Sequence, residues 1–166
     1  NTLTVPQSTP GGLDSQRSSI GHYELAEDEA MIISVPRCDD CTYQAAQVGS
    51  DWYASTDYET HQTSLTKAQA ETDPDGVIRF VVAETPPYDG APVANWLETT
   101  GHRTGSLMLR WQQLSRDLTQ DADGPTIQVV PLADVPKHLP HTTPLTTEEY
   151  AARIAARQRS IARRMI

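Results

Sequence analysis

Residues 73–83 read Asp-Pro-Asp-Gly-Val-Ile-Arg-Phe-Val-Val-Ala, and they combine a turn signal with a strand signal. Pro74 and Asp75 favour a turn, and Gly76 can take the positive φ angle that a tight turn requires. The run 77–83 then alternates its large apolar side chains with the two-residue period of a β-strand. The stretch therefore predicts a hairpin and, with it, a β-rich fold.

Short runs with strand character lie on both sides of this stretch, and turn residues separate them. They span residues 20–25, 30–35, 43–48, 52–53, 106–112 and 127–131. In the longest of them, Leu107, Leu109 and Trp111 share one face, whereas Met108 and Arg110 share the other, as in a half-buried strand.

The segments between these runs favour loops. Residues 57–72 predict a loop with a helical turn near 67–70, residues 84–101 a long loop, and residues 132–141 a short helical turn. Strands and helices do not alternate as they do in parallel sheets. The sequence therefore predicts a mostly β fold, a β-sandwich or jelly-roll-like body with one C-terminal helix.

That helix is an amphipathic α-helix over residues 146–166. Thr146 and Glu149 have the spacing of a capping box. The apolar stripe consists of Tyr150, Ile154, Ile161 and Met165. Arg163 and Arg164 lie at the negative end of the helix dipole.

Charge is divided unevenly between this helix and the rest of the chain. The helix holds five arginines against two glutamates, a net charge of +3. Because the whole chain has a net charge of −9, the remainder carries −12. Such an acidic body repels nucleic acid and anionic membranes. We therefore expect the helix to pack on its own acidic domain or on an acidic partner subunit.

Composition divides the chain into three parts. Residues 1–19 are rich in Ser, Thr, Pro, Gly and Gln, which cannot build a core, and they predict an extended arm or linker. Residues 20–145 then form the β-domain, and residues 146–166 the helix. The chain starts at Asn1 without Met, so we interpret it as a processed product or a fragment. The cytoplasm is the favoured compartment.

The sequence offers no convincing metal or cofactor site. Cys38 and Cys41 flank two aspartates, and zinc would need two further ligands that no second paired motif supplies. We interpret this segment as a surface turn whose thiols are free or joined in a small local disulfide. His22 with Glu24, and His138 with His141, lack the spacing of a metal site. We therefore expect no cofactor.

Seven polar and aromatic residues form the candidate ligand-binding set: Trp52, Asp57, His61, Asn95, Trp96, His102 and Arg110. Asp57 with the two histidines would supply acid–base groups, Asn95 and Trp96 an amide beside a stacking face, and Arg110 a site for an anion. Each also has a structural interpretation, since loop histidines often face solvent and a tryptophan can close the end of a sandwich.

Two functions remain open at this stage. The first is a small-ligand-binding or assembly domain that contacts another domain or subunit, including a second copy of the same chain. The alternative is an enzyme, or half of one, that acts on a small polar or anionic metabolite through the loop residues. The chain has no P-loop, Gly-x-Gly-x-x-Gly or Gly-x-Ser-x-Gly motif, so no catalytic residue is assigned.

A series of short motifs also resembles a bacterial family, the domain of unknown function 1214. In order, the motifs are Tyr43, Trp52, Thr63-Ser64-Leu65, Asp75-Gly76, Asn95-Trp96-Leu97 and Leu109-Arg110-Trp111. The resemblance covers about residues 20–115. It implies a β-sandwich that usually forms the C-terminal part of a longer protein, and it implies no activity.

Overall fold

The structure, a computed structural model, describes residues 1–8, 12–114 and 116–163, and within these ranges it contains nine strands and three α-helices. The strands are β1 (Thr2–Leu3), β2 (Gln16–Glu24), β3 (Glu29–Pro36), β4 (Cys41–Gly49), β5 (Ser64–Thr66), β6 (Val77–Ala83), β7 (Trp96–Glu98), β8 (Thr104–Leu114) and β9 (Thr126–Pro131). The helices are α1 (Gln120–Asp123), α2 (Val135–His138) and α3 (Thr147–Ala162).

The strands form two sheets, so the predicted mostly β fold is confirmed. One sheet has five strands in the order β1-β2-β8-β4-β5, and the other has four in the order β7-β6-β3-β9. All pairs are antiparallel except β6 with β7. No described helix is long and apolar enough to cross a lipid bilayer.

The main core lies between the two sheets. Alternate residues of β3 and β6 face alternate residues of β4 and β8, as the two-residue period requires. The face of β6 with Ile78, Phe80 and Val82 and the face of β8 with Leu107, Leu109 and Trp111 point inward, and the largest buried side chains include Phe80, Leu107, Leu109 and Trp111.

A second apolar cluster covers the outer face of the four-stranded sheet. Ile32 and Val81 point to this side, where Val135 and Leu139 of the short helical segment pack on them. The four-stranded sheet is therefore buried on both faces, which explains the nearly continuous apolar runs of β3 and β6. The predicted helical turn in residues 132–141 contains a 3₁₀ turn (Leu132–Asp134) followed by α2.

The N-terminal segment lies on the edge of the five-stranded sheet. Leu3 of β1 pairs with Gly21 of β2, and a Cβ atom at Gly21 would lie only 1.8 Å from the carbonyl oxygen of Thr2. Glycine at this position therefore lets the two backbones meet. Strand β2 starts at Gln16, inside the segment expected to be an arm, and residues 9–11 of that segment lie outside the described residues.

The predicted hairpin at residues 73–76 is wrong in one respect. The turn forms, with Gly76 at φ 79° and its N–H donating to the carbonyl of Asp73. The flanking strands β5 and β6, however, belong to different sheets, and β6 pairs with β3 instead. The turn therefore carries the chain from one sheet to the other.

Short elements account for the other differences. Residues 52–53, expected in a strand, form an exposed turn, because Tyr53 takes a positive φ of 58° that a strand cannot accommodate. The expected loops 57–72 and 84–101 each contain a three-residue strand, β5 and β7, and the predicted turn at 67–70 is present in the first.

The C-terminal helix begins as the sequence predicts. The hydroxyl of Thr146 accepts from the N–H of Glu149 (3.2 Å), and the carboxylate of Glu149 accepts from the N–H of Thr146 (2.8 Å). The capping box is therefore complete. Arg164 and Met165, which the sequence also placed on this helix, lie outside the described residues.

Candidate functional site

The two sheets approach each other at the edge strands β5 and β7. The side-chain nitrogen of Gln62, just before β5, donates to the carbonyls of Ala94 (3.0 Å) and Trp96 (2.7 Å). The backbone N–H of Glu98 donates to the carbonyl of Gln62, and the Glu98 carboxylate accepts from the N–H of Gln62. The segments before the two edge strands are thus joined along one side of the sandwich.

Helix α3 runs across this joined side. The side chains of Tyr150, Arg153 and Arg157 lie along one face of the helix, within two turns, and contact the domain. Tyr150 donates to the carboxylate of Glu98 and stacks on Trp96 with ring centroids 5.4 Å apart. Burial, followed by the hydrogen bond to Glu98, raises the pKa of Tyr150 above its usual range.

The two arginines of this helix face bind main-chain carbonyls. Arg153 donates to the carbonyls of Ala94 (3.0 Å) and Gln69 (3.2 Å). Arg157 donates to the carbonyls of Tyr58 and Ser64 and to the Ser64 hydroxyl. The sequence predicts docking on the chain's own acidic surface or on an acidic partner subunit. The hydrogen bonds described here go mainly to backbone oxygens at the edge of the sheet.

A groove of about 590 Å³ lies between the C-terminal half of α3 and the outer face of the five-stranded sheet, and we call it the α3 groove. Its floor is formed by Tyr43 and Gln47, which both lie on the outer face of β4. The remaining lining residues are Val48, Ser55, Tyr58, Thr63, Ser64, Thr66, Gln69, Arg157, Ser160 and Ile161. Among these described residues there is no carboxylate, imidazole or thiol, so hydroxyl and amide groups dominate the lining.

A second, smaller groove of about 330 Å³ lies under the same helix and shares Gln69, Arg157 and Ser160 with the first. Every described residue of α3 remains at least partly accessible to solvent. The helix therefore contacts the sheet edge only through some of its side chains, and the two grooves lie beside these contacts.

One wall of the α3 groove is formed by the β4–β5 connection, residues 50–63, which we call the rim loop. Trp52, at its first turn, is 90% exposed. The turn closes through hydrogen bonds between the N–H of Ser50 and the carbonyl of Ala54, and between the N–H of Tyr53 and the carbonyl of Ser50, both 2.9 Å. Thr104 of β8 donates to the carboxylate of Asp51 (2.9 Å) and fixes the turn to the sheet.

The rim loop also brings together two of the candidate residues, Asp57 and His61. The Nδ1 atom of His61 lies 3.3 Å from the Asp57 carboxylate and 2.9 Å from the Thr60 hydroxyl. The Thr60 hydroxyl, followed by the Thr60 N–H, donates to Asp57 and lowers the pKa of Asp57 to about 2. Both side chains are exposed, and neither lines the α3 groove.

Asn95 and Trp96 lie inside the protein. The Asn95 amide accepts from the N–H of Glu71 (2.8 Å) and donates to its carbonyl (2.7 Å). The Trp96 indole N–H donates to the carbonyl of Ala83 (3.0 Å). These contacts agree with the structural interpretation, in which the tryptophan closes the packing and the asparagine binds backbone.

The last two candidates lie elsewhere. His102 is exposed in the turn between β7 and β8. Arg110 lies on the outer face of β8, opposite Ala45 and hence one strand away from the floor of the α3 groove, and its guanidinium is 2.8 Å from the sulfur of Met108. The seven candidates therefore occupy several regions and do not surround one pocket.

Cys38 and Cys41 are joined by a disulfide, the second of the two alternatives left open by the sequence. Both are buried at the β3–β4 connection, where the Lys67 ammonium donates to their carbonyls. Throughout the described ranges, no group of three or more His, Cys, Asp or Glu side chains is placed to hold a metal ion.

Sequence reasoning missed the residues that line the α3 groove. A signal existed for two of them, because Tyr43 and Gln47 are four residues apart in a strand, an even spacing that places both on the same face. No comparable signal marked Tyr58 or Arg157, since the helix and the rim loop meet only in the folded chain.

The chain is similar to two solved structures. It shares 30% identity with an uncharacterized protein from Burkholderia cenocepacia, with a TM-score of 0.67, over 78% of this chain and 35% of that one. It shares 12% identity with the VPA0106 protein from Vibrio parahaemolyticus, with a TM-score of 0.48, over 68% of this chain and 30% of that one. The chain thus spans about a third of the length of the proteins it matches. No family model and no curated protein matches it.

Proposed function

We propose that this chain is a non-catalytic domain that binds a small polar molecule in the α3 groove. The observation that carries the proposal is the groove itself, about 590 Å³ in volume, where nine of the twelve lining residues carry a hydroxyl or amide group. Grooves of this size suit small ligands, and convergent polar groups fix a ligand's orientation. The described lining supplies hydrogen-bond donors and acceptors, and it contains no carboxylate, imidazole or thiol for acid–base or nucleophilic catalysis.

We infer further that the domain works within a longer bacterial protein, as the resemblance to the domain of unknown function 1214 implies. The 30% identity to a Burkholderia protein that is more than twice as long supports this inference. The passage of the chain from sheet to sheet at the β2–β3 and β3–β4 connections supports a relationship to jelly-roll folds. Contact with another domain, another subunit or a second copy remains part of the same proposal.

A chemical-shift screen of the isotope-labelled chain tests the binding proposal. The probes are a set of neutral and anionic polar fragments, each at millimolar concentration. We expect the largest shifts at Tyr43, Gln47, Tyr58 and Thr63, and Gln47→Leu should weaken binding about tenfold by removing one amide from the groove floor.

Gln128→Leu provides the matched control, because Gln128 is exposed on β9 in the other sheet. It should leave the affinity unchanged. A screen in which no fragment binds, or in which the shifts cluster away from the α3 groove, would contradict the proposed function.

A further inference from the structure

We propose that the polar ligand of the α3 groove is a neutral oligosaccharide, with Trp52 as the platform on which one sugar ring stacks. This inference rests on the proposed function and names its ligand class.

Trp52 is presented to solvent by an ordered turn. Of the three tryptophans, Trp96 and Trp111 are buried, whereas Trp52 is 90% exposed. The turn that carries it is fixed on both sides, by the hydrogen bond from Thr104 to Asp51 and by an edge-to-face contact between Tyr53 and His22, with ring centroids 5.0 Å apart. The same loop also exposes Tyr53 and Tyr58, so Trp52 is one of three exposed aromatic residues on the rim loop.

The tryptophan lies close to the groove. Ser55 lines the groove and follows Trp52 by three residues, so their Cα atoms are at most about 11 Å apart. Tyr58, another exposed aromatic residue of the rim loop, also lines the groove. A ligand of a few linked rings can therefore contact the Trp52 ring and the groove floor together.

The lining matches the chemistry of a sugar. A pyranose has an apolar face of C–H groups, which packs on an aromatic ring, and an edge of hydroxyl groups that donate and accept hydrogen bonds. Tyr43 and Tyr58 supply aromatic surface, and the Gln47 amide with the Ser64 hydroxyl supplies both donors and acceptors.

Charge favours a neutral ligand over an anionic one. Each nitrogen of the Arg157 guanidinium already donates one hydrogen bond within the protein, to Tyr58 or Ser64. The net charge of −9 adds a repulsive field for polyanions. These observations favour a neutral saccharide over a nucleic acid or an acidic polysaccharide.

Intrinsic fluorescence provides a direct test, because Trp52 is the one exposed tryptophan among the three. The probes are neutral oligomers of four to six units, one series each of glucose, xylose and N-acetylglucosamine. We expect at least one series to shift the emission to shorter wavelength and to protect the chain from acrylamide quenching. Trp52→Ala should abolish the optical signal and weaken calorimetric binding by at least about tenfold.

Leu13→Ala is the control, since Leu13 is an exposed apolar residue, 64% accessible, remote in sequence from the rim loop. It should bind the same oligosaccharide with unchanged affinity. A circular dichroism spectrum and melting temperature equal to those of the parent chain would show that Trp52→Ala remains folded.

Several outcomes would overturn the inference. If no oligosaccharide binds at millimolar concentration while polar fragments still bind the α3 groove, the ligand class is wrong and the proposed function stands. If oligosaccharides bind equally to Trp52→Ala, the platform is wrong. If Trp52→Ala instead converts a sedimenting dimer to a monomer, the ring is a protein contact. If oligosaccharides bind Gln47→Leu as tightly as the parent chain, they bind outside the α3 groove, and the inference fails while the fragment screen still decides the proposed function.

Discussion

At the scale of single residues, Asn95 holds the segment before β6 to the segment before β7. Its amide makes two hydrogen bonds to the backbone of Glu71, and its side chain is only 9% exposed. Asn95→Ala leaves the N–H and carbonyl of Glu71 without these partners, so we expect a loss of about 1–3 kcal/mol in the free energy of unfolding. Urea denaturation measures this loss.

Gln128→Ala is the control for this loss, because an exposed amide on β9 should change the free energy of unfolding by less than about 0.5 kcal/mol. The affinity of Asn95→Ala for a groove ligand should equal that of the parent chain. A stable variant with weakened binding would instead return Asn95 to the ligand-binding set.

The tryptophans show what the sequence could not decide at this scale. Trp111 could be placed in the core, since it lies on the apolar face of an alternating strand. Trp52 and Trp96 have no such periodic context, and both were candidates for ligand contact. One is exposed and the other buried because the backbone turn at Tyr53 and the packing of Tyr150 decide their surroundings. Both are features of the folded chain.

At the scale of elements, α3 is attached by arginine-to-carbonyl hydrogen bonds more than by apolar burial. Arg153 joins the helix to both edge segments, at Ala94 and Gln69. Because hydrogen bonds from a charged donor are stronger than neutral ones, Arg153→Ala should lower the free energy of unfolding by about 1–2 kcal/mol at this half-buried site. Amide hydrogen exchange within α3 should accelerate.

Arg159→Ala is a matched control on the same helix, with the same change in charge and helix propensity and an exposed side chain. Its effect should stay within about 0.5 kcal/mol. Equal destabilisation by the two variants would show that net helix charge, and not the carbonyl contacts, attaches α3.

Elements with a long periodic signal could be predicted, and the others could not. The helix start, β3, β6, β8 and the helical turn before residue 141 all follow from local patterns that tertiary structure preserves. The three-residue strands β5 and β7 are too short to carry a period, and they exist because a neighbouring strand offers hydrogen bonds. For the same reason the α3 groove, built where these elements meet, had no local signature.

At the scale of the whole molecule, stability at alkaline pH depends on a tyrosine that is buried between the two sheets. Tyr23 of β2 is 1% exposed in the main core. Burial, with a smaller contribution from Asp51, raises the pKa of Tyr23 to about 12 from 10.0. Between these values the unfolded chain ionises the phenol and the folded chain keeps it neutral. Stability is therefore full below pH 10 and is lost as the pH rises towards 12.

For this shift we expect a loss of about 1.4 kcal/mol at pH 11 relative to pH 8, because the unfolded tyrosine is then mostly ionised. Tyr23→Phe should remove that loss. The difference in free energy of unfolding between the parent chain and Tyr23→Phe should therefore change by the same amount between pH 8 and pH 11. Tyr58→Phe, at an exposed position, should keep the pH dependence of the parent chain. If the free energy of unfolding changed with pH equally in the parent and in Tyr23→Phe, the phenol would reach water in the folded state. The sheets would then open at this end.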